Sequence, residues 1–168
     1  MSPEYDGSRC LIPFFRLGVL MSHAAGVVEF ALEPPRPPDT YLGVAYAMIG
    51  GVRDLAAANP SSSMALALVS SHVLECALKA YLSRHGDDRH VRKADVRHHL
   101  VRLWEFSVAE GLDIEPHPPS WVVLLSQVHD KPFFLRYSTG VHGISLPGAE
   151  PMASELSDVL DTVAASLR

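Results

Sequence analysis

The chain has 168 residues and carries 14 Lys and Arg against 19 Asp and Glu, a formal net charge of −5. With 48% hydrophobic and 20% charged residues it has the composition of one globular domain with its own core, which excludes a disordered segment. The acidic total argues against a generic nucleic-acid binder, which carries a basic excess, and the nine histidines are the one unusual count.

Two cysteines, Cys10 and Cys76, form no CxxC pair, so neither a zinc knuckle nor a disulfide scaffold is expected, and a reducing cytoplasm is the plain reading. The segment Leu11 to Met21 contains Pro13 and Arg16 and follows Glu4 and Asp6, a poor match to a signal peptide. No membrane span is expected, because no run of about 18 uncharged apolar residues occurs. Residues 1–20 differ in character from the rest, which makes Met21 an alternative start.

Residues 1–40 read as an irregular, Pro-rich arm. Val28, Phe30 and Leu32 alternate with Glu29 and Ala31 as in a short strand, and Pro34-Pro35-Arg36-Pro37-Pro38 acts as a stiff spacer. The first helix is predicted over 41–58, capped by Asp39 or Thr40, with Leu42, Ala45, Ile49, Val52 and Ala56 at helical spacing. Gly50-Gly51 in its middle is expected either to admit a close neighbour or to bend it, and Asn59-Pro60 ends it.

The second helix follows Ser61-Ser62-Ser63 and runs to about His85, with Gly86 at the left-handed position after it. Fourteen of the nineteen residues from Met64 to Leu82 are apolar, which marks a central helix. Ser71, His72, Glu75 and Lys79 fall in one narrow sector of it, a polar stripe that either faces water or lines an internal site. A charged connector leads to a third helix at about 97–110, closed by Gly111. Pro116-His117-Pro118-Pro119 precedes a fourth at 120–130, with Ser120 as cap and Lys131-Pro132 as stop. A Gly-rich loop leads to the last helix near Pro151, with Leu156, Val159, Leu160, Val163 and Leu167 on its apolar face. The fold expected is an all-α, antiparallel four- to five-helix bundle over 41–168 behind the arm.

Three groups of residues could carry chemistry. Between Arg84 and Arg102 lie six Lys and Arg, three Asp and four histidines, so this segment is +3 and the remainder −8. Arg89, Arg92, Lys93 and Arg97 are the candidate phosphate-binding patch; such a connector is equally a solvated loop that binds nothing. A metal is not expected: His98 and His99 point about 100° apart on a helix, and His72 and Glu75 at i, i+3 lack recognisable further ligands. No GxSxG, P-loop or GxGxxG is present, so no cofactor is expected.

The third group is Arg136 and His142, in Arg136-Tyr137-Ser138-Thr139-Gly140-Val141-His142. The run Ser71-His72-Val73-Leu74-Glu75-Cys76-Ala77-Leu78-Lys79-Ala80-Tyr81-Leu82 resembles the second helix of HEPN domains. His98-His99-Leu100-Val101-Arg102-Leu103 followed by Gly111-Leu112 resembles that family's third helix, and Leu135-Arg136-Tyr137 its Arg-Tyr element after the fourth. The resemblance spans about 41–167. It implies a helical bundle, often homodimeric, set in RNA-linked or defence-type biology, with RNA or a partner protein as its ligand. Many members are metal-independent ribonucleases with an Arg, four to six residues, then a His. In that chemistry His142 would be general acid or base and Arg136 would stabilise the phosphate in passage. The chain departs from that pattern in having Tyr137 directly after the Arg and glycines on both sides of His142.

Glu75 on a buried helix also needs partners, since a lone buried charge is costly. Lys79 supplies one from a turn away, and Arg136 or His99 could supply another. A polar cluster of His72, Glu75, Lys79 and His99 is expected, with Tyr137 packed beside it and Arg136 mainly structural. The expectation is therefore a non-catalytic, RNA-associated or interaction module, with the ribonuclease using Arg136 and His142 as the alternative.

Overall fold

A computed structural model of the chain describes residues 19–21, 28–30, 35–58, 63–137 and 143–168. The chain divides into two compact units, Met1–Pro34 and Pro35–Arg168. In the first, β1 (Val19–Met21) pairs antiparallel with β2 (Val28–Phe30), Leu20 opposite Glu29. The alternation at 28–32 had marked β2; β1 is three residues long, too short for a periodic signal. Cys10, the Met21 start as it concerns 1–18, and the Asn59-Pro60 stop lie outside the described residues.

The second unit is an all-α bundle of five helices: α1 (Asp39–Ala58), α2 (Met64–Leu82), α3 (Leu100–Ala109), α4 (Ser120–His129) and α5 (Ala149–Ser166). Fourteen residues of α2 are buried, and it packs against all four other helices. By length and composition alone α2 is long and apolar enough to cross a membrane; here most of its surface is covered by the bundle. Leu66, Leu74 and Leu78 of α2 meet Leu100 and Leu103, Val122 and Leu125, and Leu156 and Leu160 in one core.

Several helix ends differ from expectation in instructive ways. α1 starts at Asp39, so Asp39 and Thr40 are helical; Leu42 N–H donates to the Pro38 carbonyl, and Thr40 Oγ1 instead accepts from Arg36 N–H. α1 runs unbroken through the Gly50-Gly51 pair, which admits no close neighbour, for no described atom outside the helix's own backbone lies within 4 Å of where either Cβ would stand. α2 has its cap at Ser63, whose Oγ accepts from Leu66 N–H, and it stops three residues before His85. There the Ser83 hydroxyl donates to the Lys79 carbonyl at 2.6 Å, and Gly86 turns the chain with φ of +87°. α4 is preceded by Pro119 and has no side-chain cap, Ser120 being its first residue.

The link from 83 to 99 is a series of turns, pinned by the buried Val91 and Val96. At the other end of the core the Trp104 and Trp121 rings meet edge to face, 6.4 Å apart. The Trp104 indole N–H donates to the Glu115 carbonyl in the link after α3, and the Trp121 indole N–H donates to Glu155 Oε2, which ties α4 to α5.

Leu78 is fully buried where α2 meets its neighbours. Leu78→Ala is expected to cost about 2–5 kcal/mol through lost burial and the cavity left behind. Urea unfolding followed by circular dichroism reads this as a lower midpoint at unchanged slope.

Candidate functional site: a buried carboxylate and its histidines

The polar stripe of α2 faces inward. Ser71, Glu75 and Lys79 are buried and His72 half-buried. Glu75 is the centre. Its Oε1 accepts from Lys79 Nζ at 2.7 Å, one turn along the same helix. Its Oε2 lies 3.0 Å from His98 Nδ1 and 2.7 Å from His129 Nε2. Lys79 also sits 5.8 Å above the Tyr41 ring, whose hydroxyl donates to Asp88.

Burial by itself would raise the Glu75 carboxyl. The His129 hydrogen bond, the charge and hydrogen bond of Lys79 and the His98 bond outweigh it and hold the group at about 2, against an ordinary 4.5. Glu75 is therefore an anion and has no proton to give. Both imidazole nitrogens facing it must carry hydrogens, so His98 is Nδ1–H and His129 is Nε2–H. The lone pair of a neutral ring then lies on the opposite nitrogen. On His129 that atom is Nδ1, buried with no partner among the described residues. On His98 it is Nε2, on a side chain 22% exposed, with no hydrogen-bond partner among the described residues.

Glu75 and Lys79 pair as expected. His99 is not a partner: α3 starts at Leu100 rather than 97, so His99 is the cap, accepting Arg102 N–H at 3.3 Å, and its neighbour His98 turns inward. His129 takes the remaining place. Its signal was present in the sequence, for it falls on the same buried stripe of α4 as Val122 and Leu125. His72 is at the edge of the cluster, its Nε2 3.8 Å from Cys76 Sγ. Burial lowers its pKa first, with the charges of His129, Arg136 and Lys79 acting the same way against Glu75. Burial likewise pushes the Cys76 thiol up to about 12, which leaves it unreactive.

Arg136 is not a partner of Glu75 either. The turn after α4 carries it to the surface, because Phe133 O accepts from both Arg136 and Tyr137 N–H while the buried Leu135 anchors the strap. The exposed guanidinium lies 5.8 Å from the Phe133 ring. Tyr137 is 60% exposed and meets the same ring at 6.4 Å, at the rim rather than inside the cluster. The His98 ring also meets the Phe133 ring edge to face, at 5.7 Å. Phe133 itself has φ of +65°, a left-handed backbone that costs a bulky residue about 1–2 kcal/mol. His142 lies outside the described residues.

The connector patch is partly neutralised. Arg89 forks onto Asp87, and Arg92 approaches Asp88 at 3.8 Å. Arg84 and Arg102 pair with Glu110 and Asp95. Lys93 and Arg97 are exposed and have no ion pair among the described residues, so they are the part of the patch open to a phosphate.

Glu75, His98 and His129 also present three ligand atoms within 4.8 Å of one another, enough to raise a metal. The donor set fits poorly. The Lys79 ammonium already occupies the carboxylate, and a metal on His129 Nε2 would force a hydrogen onto buried, unpartnered Nδ1. A hydrogen-bonded network accounts for the arrangement.

Lys79→Met leaves a buried carboxylate without its lysine cation and is expected to cost about 3–5 kcal/mol. The depressed carboxyl of Glu75 adds stability above pH 4.5 that is lost as pH falls towards about 2. Acid titration of the fold at fixed urea should show a shallower loss over that window in Glu75→Gln than in the parent chain. Comparison with family models, with curated proteins and with solved structures returns no match.

Proposed function

We propose that this chain is a HEPN-like, RNA-associated module, acting as a homodimer in the cytoplasm, and that its RNA contact is the corner formed by Arg136, Tyr137 and Phe133. The observation that carries this reading is the exposure of Arg136 and Tyr137 around a strained Phe133. Single-stranded RNA is held by a cation on the phosphate and by rings on which bases stack, and this corner has both. Arg97, next to His98 in sequence, and Lys93 one turn before it are further exposed cations. The acidic total does not oppose this, since attraction depends on the local field.

The exposure of Arg136 also favours the second reading, a metal-independent ribonuclease using Arg136 and His142. A guanidinium not engaged by Glu75 is free to meet a phosphate in passage. Cleavage of RNA in EDTA that disappears in His142→Ala supports it; cleavage that survives removes His142 as catalyst.

Fluorescence anisotropy with a labelled single-stranded RNA tests the binding reading. Tyr137→Ala is expected to weaken binding by about 1–3 kcal/mol, and Arg136→Ala to weaken it and flatten its salt dependence. Light scattering is expected to give twice the 18.3 kDa chain mass. Affinity unchanged in both variants, or no binding at low salt, overturns the reading.

A further inference from the structure

We propose that the groove over the two tryptophans binds an aliphatic polyamine, a methylene chain that carries two or more ammonium groups. This inference is independent of the RNA reading. It concerns the link after α3 and the face of α5, not the connector or the Phe133 corner.

Charge is distributed unevenly along the fold. Between Leu103 and His129 there are four carboxylates and no Lys or Arg, and α5 carries four more and again no Lys or Arg. The link after α3 and the middle of α5 together line a groove of about 460 Å³. Trp104 and Trp121, both buried, form its floor with the buried Val159, and Ile114 adds apolar wall. The charged members of its lining are Asp113, Glu115, Glu155 and Asp158, all exposed. None of these four makes an ion pair among the described residues. Asp158 also borders the hollow that holds Arg53, whose Nε donates instead to Ser157 Oγ at 3.3 Å.

The indoles set two of the acidic residues in place. Trp121 N–H donates to Glu155 Oε2 at 2.6 Å, which leaves Oε1 for a ligand. Trp104 N–H donates to the Glu115 carbonyl at 2.8 Å, which fixes the backbone that carries Glu115. The acidic rim is thereby held over the apolar floor before any ligand arrives, so binding orders little.

The lining selects the ligand. An acidic rim with no cation of its own draws positive charge from outside, and apolar walls concentrate that field. A single metal ion needs its ligand atoms gathered closely. Among the described residues the one such group of three is Glu75, His98 and His129, not these carboxylates. Separated carboxylates match separated ammonium groups. The apolar floor matches a methylene chain, which lies along it while its charged ends reach the rim, as a lysine stem does. The volume is that of a small-ligand cleft, well short of a protein interface.

The chain has two tryptophans and both line this groove, so tryptophan emission of the full chain reports on it directly. The test titrates spermidine into RNA-free protein at about 0.15 M NaCl, with calorimetry for stoichiometry. A saturable, one-to-one emission change is expected, and it should weaken as salt rises. Asp113→Asn combined with Asp158→Asn should lower the affinity about tenfold. Both carboxylates are exposed, so the fold should persist, as circular dichroism would check. Asp161→Asn, an exposed α5 carboxylate outside the groove, should change the affinity less than about twofold. No saturable change, the same change with magnesium at equal concentration, or parent-like affinity in the double variant overturns the proposal. A tetralysine peptide that binds more tightly than spermidine also overturns it, and makes the groove a dock for a basic protein segment. Each of these outcomes leaves the RNA reading standing, since that reading concerns other residues.

Discussion

A single buried carboxylate organises this bundle. Glu75 sits in the middle of the most buried helix, and an anion there is tolerated only while its oxygens stay occupied. Oε1 is satisfied from within α2 by Lys79, and Oε2 by one ring from the turn before α3 and one from the last residue of α4. The carboxylate therefore joins three segments that the apolar core joins only without direction. Hydrophobic burial brings α2, α3 and α4 together; the hydrogen bonds specify how they are set against one another.

The same network separates two histidines that are chemically equivalent in the chain. Both rings donate to one oxygen, and each points its other nitrogen away from it. His129 is sealed inside, so its lone pair is a cost of folding. His98 is at the edge, so its lone pair is available to whatever reaches the Phe133 corner. Burial, not sequence motif, distinguishes the sealed imidazole from the accessible one.

The turn at 130–137 is the second device of the fold. It follows a helix that ends at His129, buries Leu135, and so throws Arg136 and Tyr137 outwards. The Arg-Tyr pair had suggested an inward partner for Glu75, but a residue beside a buried Leu in a tight turn does not share its direction. Lys79 and two histidines had already met the need that Arg136 was expected to fill.

The sequence by itself determined the five helices, the central place of α2 and the gathering of its polar residues in one sector, while only the packed structure turned that sector inward. Those follow from period and composition, which are local properties of the chain. Glu75 with Lys79 was legible for the same reason, being one turn apart on one helix. Which histidines would meet Glu75 was decided only by tertiary structure. His98 and His99 are neighbours, and a start of α3 three residues later than periodicity suggested exchanges their roles, one capping the helix and the other reaching the carboxylate. His129 stands 54 residues from Glu75, and no local rule connects them. The exposure of Arg136 was decided in the same way, by the anchoring of its neighbour in a core assembled from distant parts of the chain.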